Sequence, residues 1–283
     1  MSFNVLNDAS GFIVSLASSG MAKKIVSFIN KHFSPEKDIM VKVGMHKMYA
    51  STLDRIFALL LWKFSALEAF ETKLLGKIVK KGMVVYDIGA NVGYYTLIFA
   101  HLVGRKGRVY AFEPEPENYR LLLKNIRASN CRNVIAIKKA VSDKSGKVKF
   151  FVSEAYKGDH SMSDLGAGSK LIEVDSITID NFVRNKAKPG FIKIDVEGAE
   201  FLAVKGMGKL LDSGKGVKMV CEFYPKGLIK CGDSPGEFLS RLESHGFKIK
   251  LINEKKKRIE PIGSPSLIKL CSGSRYANIL LER

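Results

Sequence analysis

From residue 83 onward, short runs of β-branched and aromatic residues alternate with amphipathic segments of helical spacing. Such alternation is typical of a parallel sheet with helices on both faces, so we predict an α/β fold. The strands are expected at residues 84–86, 108–112, 134–138, 147–152, 191–196, 217–223, 247–252 and 277–281. The helices are expected at residues 94–103, 117–128, 200–211 and 235–245.

The two ends of the chain differ from this pattern. Before residue 73, apolar residues such as Leu53, Ile56 and Phe57 recur at helical spacing. They predict an N-terminal helical segment over residues 1–72, ahead of an α/β domain over residues 73–283. At the other end only a short charged loop separates the last two predicted strands, which favours an antiparallel hairpin at one edge of the sheet.

Composition limits the partners and the location of the protein. The chain has 46 Lys and Arg against 28 Asp and Glu, a net charge of +18. This excess favours an anionic partner, such as nucleic acid, acidic lipid or a phosphorylated substrate, or else a solvated lysine-rich surface. No stretch of 18 uncharged apolar residues is present, which excludes an ordinary transmembrane helix. Four cysteines without metal-ligand spacing favour reduced thiols, and we expect a cytoplasmic protein.

A glycine turn stands between the first predicted strand and its helix, in the sequence YDIGANVGYYT over residues 86–96. Gly89 can adopt backbone angles closed to other residues, and Gly93 lets a ligand or the sheet approach closely. The amide groups of the helix N-terminus then point above the sheet edge, where ligands of such folds bind. The alternative is that both glycines serve packing alone.

An acid at the end of the second strand strengthens the ligand interpretation. Glu113 follows Gly93 by about 20 residues, where a carboxylate can accept hydrogen bonds from ribose hydroxyls. The alternative is a surface or helix-capping glutamate. Asn91 replaces the middle glycine of the dinucleotide fingerprint, and Asp87 would repel a pyrophosphate but suit an ammonium and a sulfonium. We therefore predict S-adenosylmethionine as the cofactor, rather than NAD or ATP.

Four sequence blocks carry a family resemblance: VYDIGANVGYYT at residues 85–96, FEP at 112–114, AVSD at 140–143 and IKIDVEGAE at 192–200. With these blocks in this order, the chain resembles the FkbM-type S-adenosylmethionine-dependent methyltransferases over residues 73–225. The resemblance implies a Rossmann-like, seven-stranded methyltransferase sheet in the order 3-2-1-4-5-7-6, with the last strand antiparallel. It also implies methylation of a hydroxyl on a sugar, glycan, polyketide or other metabolite.

The resemblance also assigns the cofactor residues. It implies that residues 89–93 hold the methionine part, that Glu113 holds the ribose, and that Ser142 and Asp143 lie by the adenine. The full predicted cofactor-binding set is Asp87, Gly89, Asn91, Gly93, Tyr94, Thr96, Glu113, Pro114, Ser142 and Asp143.

Acidic residues close the fourth and fifth predicted strands. Methyl transfer needs an aligned approach and a sink for the acceptor's proton. One of Asp195 and Glu197 would hold the cosubstrate or the acceptor hydroxyl and the other would take its proton; the alternative is that both cap the following helix. Glu222 is a third acid on the same edge. Three carboxylates can hold a divalent metal, but without a tight D-x-D pattern the sequence predicts no metal site.

His160, in a glycine-rich loop, is the last catalytic candidate, and the alternative is that it is a solvated loop histidine.

The acceptor atom is predicted from two features of the sequence. The turn over residues 195–198 is not the Asn/Asp-Pro-Pro-aromatic turn of amine methylation, and Cys221 is expected to point inward, so oxygen is the predicted acceptor atom. An RNA ribose methyltransferase and a non-catalytic nucleoside-binding scaffold protein remain alternatives.

The basic run KKKR at 255–258 is expected to be a hairpin tip rather than a phosphate site. The oligomeric state stays open.

Overall fold

The computed structural model describes residues 38–43, 46–51, 69–153, 162, 169–213 and 216–283. Its strands are β1 (Asp38–Val43), β2 (His46–Ser51), β3 (Val84–Ile88), β4 (Arg108–Phe112), β5 (Val134–Ile137), β6 (Ala140–Val141), β7 (Gly146–Ser153), β8 (Ser169–Ile177), β9 (Phe191–Ile194), β10 (Lys218–Phe223), β11 (Lys248–Asn253), β12 (Arg258–Pro261) and β13 (Ala277–Glu282). Its helices are α1 (Ala69–Ile78), α2 (Tyr94–Val103), α3 (Pro116–Ala128), α4 (Ile179–Val183), α5 (Glu200–Lys205), α6 (Gly208–Ser213), α7 (Pro225–Lys230), α8 (Pro235–Ser244) and α9 (Ser264–Leu270).

An eight-stranded mixed sheet in the order β12-β11-β13-β10-β9-β3-β4-β5 forms the centre of the molecule. The five strands β10, β9, β3, β4 and β5 are parallel, and β13 is antiparallel to both of its neighbours. This arrangement confirms the α/β prediction. The sheet has eight strands rather than seven because Arg258–Pro261 pairs with β11 as an added edge strand.

The connection between β11 and β13 corrects the expected short charged loop. The two strands do pair antiparallel, but β12 and α9 lie between them in the sequence. Helix α9 begins at Ser264, directly after Gly263, and Pro265 in its first turn has the backbone angle that a helix start requires.

The basic run at 255–258 forms the turn into β12, and Lys256 and Arg258 pair with Glu260. It is therefore a hairpin tip, between β11 and β12.

Two further elements differ from the sequence prediction. The expected strand at 147–152 belongs to a small separate sheet, β6-β8-β7, in which β8 was not anticipated. The helix expected at 200–211 is split into α5 and α6. Gly206 lies at the break, where an added Cβ would stand 2.0 Å from the carbonyl oxygen of Ser142. This close approach to the loop after β6 requires glycine.

The first two described strands pair antiparallel, so the helical prediction for residues 1–72 is wrong at residues 38–43 and 46–51. The hairpin docks on α3, where the Asn125 amide accepts from the Tyr49 N–H at 2.6 Å and donates to the Tyr49 carbonyl at 3.0 Å. The apolar positions 53–67, used for the helical prediction, lie outside the described residues. Helix α1 crosses the expected boundary at residue 72.

The sheet has a core on each face, because successive side chains of a strand point to opposite sides. Val85 of β3 packs with Leu75 of α1 and Phe99 of α2. Its neighbour Tyr86 belongs to the core of the other face, which α5, α6, α8 and α9 help to form. Within the described part of the chain, no helix is long and apolar enough to cross a membrane.

Candidate active site

A cavity of about 320 Å³ lies at the carboxyl ends of the central parallel strands. This volume falls within the range of small-molecule sites, about 300–1,000 Å³. The cavity is lined by most of the residues predicted from the sequence: Asp87, Gly89, Asn91, Tyr94, Glu113, Pro114, Asp195 and Glu197. The parallel strands thus bring to one place residues that are more than 100 positions apart in the chain.

The glycine turn after β3 has a left-handed backbone at three of its residues. The φ angles are 84° at Gly89, 51° at Asn91 and 99° at Gly93. A Cβ at Gly89 would stand 1.8 Å from the carbonyl oxygen of Asp195, so no other residue fits. Gly93 is the N-cap residue of α2, and a Cβ there would stand 2.7 Å from the Leu122 side chain. The turn therefore touches the end of β9, and its glycines both pack and shape the cavity.

Asp87, the last but one residue of β3, is buried beneath this turn. Its carboxylate accepts a hydrogen bond from the Thr96 hydroxyl at 2.5 Å. Burial raises the pKa of Asp87 to about 6, while the charge of Lys193 and the Thr96 hydrogen bond act to lower it. Thr96 is itself fully buried and does not line the cavity, so its contact with the site passes through Asp87.

Glu113 fastens the glycine turn to the end of β4. Its Oε2 accepts from the Asn91 N–H at 2.8 Å and its Oε1 from the Glu115 N–H at 2.9 Å. Burial raises the pKa of Glu113 to about 8, against these two hydrogen bonds. A carboxylate oxygen has two acceptor sites, so each oxygen keeps one for a ligand hydroxyl. The surface interpretation of Glu113 is wrong, and the cap of α3 is Glu115, which accepts from the Asn118 N–H.

Lys193 is a site residue that the sequence analysis missed. Its ammonium lies 2.7 Å from Asp195 Oδ2 and 4.3 Å from the centre of the Tyr95 ring, and only 4% of its side chain is exposed. A lysine between two isoleucines in a buried strand was the available signal, because lysine is almost never fully buried unless it is paired. Lys193 thus fixes one oxygen of Asp195, a residue that lines the cavity.

The turn after β9 places Glu197 beside Asp195. Glu197 has φ 51° and Gly198 has φ 101°. Glu200, the first residue of α5, accepts from the amides of Val196 at 3.2 Å and Gly198 at 3.0 Å and so holds the turn that precedes the helix. Burial raises the pKa of Glu200 to about 7. The N-cap of α5 is Ala199, with no side-chain cap hydrogen bond, so neither Asp195 nor Glu197 caps the helix and both line the cavity.

Glu222, near the end of β10, completes an acidic group with Asp195 and Glu197. One carboxylate oxygen from each residue lies within 4.8 Å of the others. Glu222 is 8% exposed, and burial together with the charge of Glu197 raises its pKa well above the usual value. Such a group can hold a hydroxyl, a proton or a cation.

The adenine residues expected from the family resemblance lie just beyond the cavity lining. Ser142 is buried and donates to Asp143 Oδ1 at 3.0 Å, while Asp143 is exposed. The residues directly before them, 139–141, do line the cavity. Phe150 and Tyr276 were also not anticipated as lining residues. His160 lies outside the described residues.

A ligand cavity at the carboxyl ends of parallel strands, with a glycine turn and a buried acid after the next strand, is typical of nucleoside-binding α/β proteins. The sequence profile of the methyltransferase FkbM domain matches residues 87–249, more than half of the chain. The chain therefore belongs to the FkbM family of S-adenosylmethionine-dependent methyltransferases. The predicted family and the predicted cofactor, S-adenosylmethionine, are both confirmed.

Curated relatives extend this comparison. The hexuronic acid methyltransferase AglP of Haloferax volcanii is 32% identical over 145 residues, which span 50% of this chain and 56% of AglP. The 31-O-demethyl-FK506 methyltransferase FkbM of Streptomyces tacrolimicus is 26% identical, over 62% of this chain and 76% of that enzyme. The match thus covers about half the length of AglP. The solved fibrillarin of Aeropyrum pernix is a distant likeness, with 13% identity, a TM-score of 0.44 and coverage of 89% of this chain and 85% of fibrillarin.

Proposed function

We propose that the protein transfers the methyl group of S-adenosylmethionine to an oxygen atom of a sugar, glycan or other small metabolite. The observation that carries this proposal is the contact between Gly89 and the main chain of Asp195. It puts an acid directly beside the turn expected to hold the methionine portion of the cofactor. The AglP relative, named a hexuronic acid methyltransferase, supports a sugar acceptor.

In this proposal the cofactor lies across the carboxyl ends of β3 and β4. Glu113 accepts from the ribose hydroxyls with the acceptor sites that its two backbone hydrogen bonds leave open. The turn at residues 89–93 faces the methionine portion, and Asp87 with Thr96 supports the turn from below. The adenine lies along residues 139–143, with Asp143 as the proposed acceptor for its amine.

Bound S-adenosylmethionine supplies a methyl group already activated on a sulfonium, so the chain's own residues need only orient the acceptor and move a proton. Lys193 holds Asp195 Oδ2 at 2.7 Å. The other oxygen of Asp195 takes the proton of the acceptor hydroxyl, while the hydroxyl oxygen bonds to the methyl carbon and the bond from that carbon to sulfur breaks. Glu197, in the same cavity wall, orients the hydroxyl. This division of roles gives Lys193 the task of fixing the base.

The test is uptake of a tritiated methyl group from S-adenosylmethionine into fractionated glycans, small metabolites and total RNA at physiological salt. We expect label in the glycan or metabolite fraction, and its loss in Asp195→Asn with the fold intact by circular dichroism. Mild alkali separates the products, because a methyl ester releases methanol whereas a methyl ether does not. Near-normal transfer by Asp195→Asn would remove Asp195 from the mechanism.

The rival acceptor is RNA ribose, favoured by the net charge of +18. Stronger labelling of RNA than of glycans would select it. Binding of the cofactor with no labelled fraction would instead select the non-catalytic scaffold. The ion pairs of Lys256 and Arg258 with Glu260 reduce the free charge of the basic turn, and so weaken the RNA alternative.

A further inference from the structure

We propose that Asp195, Glu197 and Glu222 bind a divalent cation of the oxygen-ligated class, such as Mg²⁺, Mn²⁺ or Ca²⁺. This site departs from the expectation drawn from the sequence, which found no compact metal motif. Only the suggested role of the cation, which is to hold the methyl acceptor, rests on the proposed function. The binding site itself follows from the arrangement of the three side chains.

The spacing of the three carboxylates fits a single cation. One oxygen from each lies within 4.8 Å of the others. Oxygen ligands stand about 2.0–2.6 Å from such cations, so two ligands of one ion are at most about 5 Å apart. The three residues come from two adjacent parallel strand ends, β9 and β10, which fixes their relative positions. Water or an acceptor would fill the remaining coordination positions.

Glu222 supplies an independent second observation. It is 8% exposed, it lines the cavity, and its Oε2 has no hydrogen-bond partner among the described residues. A buried carboxylate without a partner is costly, because it loses the hydrogen bonds that water would give it. A cation between Glu222 and the other two acids provides the missing partner.

The charge balance of the group also favours a cation. Three carboxylates stand together, and Lys193 is held by Asp195 at 2.7 Å. The charges of Glu197 and Asp195 act against a negative charge on Glu222, and a cation would offset that repulsion. The rival to the cation is a proton on Glu222, which would remove one negative charge without supplying a ligand site.

A cation here defines the acceptor more narrowly than the proposed function does. It would bind acceptors that present two neighbouring oxygens, such as vicinal hydroxyls or a hydroxyl beside a carboxylate. A hydroxyl bound to a divalent cation gives up its proton more readily. With one oxygen of Asp195 bound to the cation and the other held by Lys193, that proton would pass to the second carboxylate oxygen of Glu197 instead of to Asp195, and the hydroxyl oxygen would bond to the methyl carbon as the carbon–sulfur bond breaks.

The experiment is a Mn²⁺ titration of the full chain after treatment with EDTA, with free Mn²⁺ measured by electron paramagnetic resonance. We expect one Mn²⁺ per chain, competed by Mg²⁺ or Ca²⁺, and at least tenfold weaker binding in Glu222→Gln. The matched control is Glu237→Gln, an exposed position in α8, which should bind as the wild type does. No stoichiometric Mn²⁺, or equal binding by Glu222→Gln, would overturn the proposal.

Thermal unfolding provides a second measurement of Mn²⁺ binding and shows whether each variant folds. Mn²⁺ should raise the Tm of the wild type and of Glu237→Gln but not that of Glu222→Gln, which without Mn²⁺ should unfold no earlier than the wild type. If Glu222→Gln does not fold, Glu197→Gln replaces it with the same expectations. The titration contains no cofactor or acceptor, so its failure would leave oxygen methylation standing. Failure of methyl transfer with intact Mn²⁺ binding would count against the proposed function instead.

Discussion

Glu113 shows how a single carboxylate can serve both the fold and a ligand. It joins the amide of Asn91, in the glycine turn, to the amide of Glu115, ahead of α3. Both bonds use backbone donors, so the carboxylate is held without a competing side chain. Its remaining acceptor sites belong to the cavity, which makes Glu113 the residue whose removal should affect cofactor binding most specifically.

Glu113→Ala should weaken S-adenosylmethionine binding by about 1.5–3 kcal/mol, the scale of a lost hydrogen bond to a charged group. Isothermal calorimetry measures the change. Glu117→Ala is the control, since Glu117 pairs with Arg120 on α3 away from the cavity lining. Equal affinity of Glu113→Ala and the wild type would contradict the ribose assignment.

At the scale of elements, the site depends on how closely two strand ends approach each other. The turn after β3 and the turn after β9 touch at Gly89 and Asp195. The parallel register of β3 and β9 sets this contact, because Ile88 lies opposite Ile194. A side chain at Gly89 must therefore separate the two turns or distort them.

Gly89→Ala should cost about 3 kcal/mol or more of unfolding free energy, because it combines a backbone clash with a left-handed φ. Gly82→Ala is a matched control: Gly82 has the same φ of 84°, but a Cβ there would meet nothing within 4 Å. It should cost only about 1–2 kcal/mol. Urea unfolding of both variants measures the difference. Equal losses of unfolding free energy would show that the contact with Asp195 does not add to the cost of a side chain at Gly89.

The sequence predicted the elements that have strong periodicity and missed those that depend on packing. Helix α2 begins and ends where the sequence places it, at residues 94 and 103. Strand β12 and the β1–β2 hairpin were missed, since strands of only four to six residues carry little pattern. In the site, Asp195 and Glu113 were predictable from strand ends and turn chemistry. The role of Lys193 was not, because a pairing partner is visible only in three dimensions.

At the scale of the whole molecule, burying the acids of the site costs electrostatic free energy. Asp87, Glu113, Glu200 and Glu222 are buried, and burial raises the pKa of each. The reverse holds for the partly buried Asp38, because Arg120 and Lys124 lower its pKa to about 2. Asp38 therefore responds to pH with a sign opposite to that of the four site acids.

Stability should fall as pH rises from about 5 to about 8. Over this range the carboxyl groups of Asp87, Glu113, Glu200 and Glu222 have lost their protons in the unfolded chain, while some of them keep their protons in the folded chain. Rising pH therefore favours unfolding. Urea unfolding of the EDTA-treated protein at several pH values measures the slope, and Glu222→Gln should make it shallower. Below about pH 4, stability falls again as Asp38 loses its ion pairs. Stability that rises steadily from pH 5 to pH 8 would contradict this account.

A crystal structure with bound S-adenosylhomocysteine tests the central claim most directly. We predict the ribose hydroxyls within hydrogen-bond distance of both Glu113 oxygens, and the sulfur on the side of the cavity formed by the Gly89 turn and Asp195. A ligand bound elsewhere, or a ribose turned away from Glu113, would contradict the site as described.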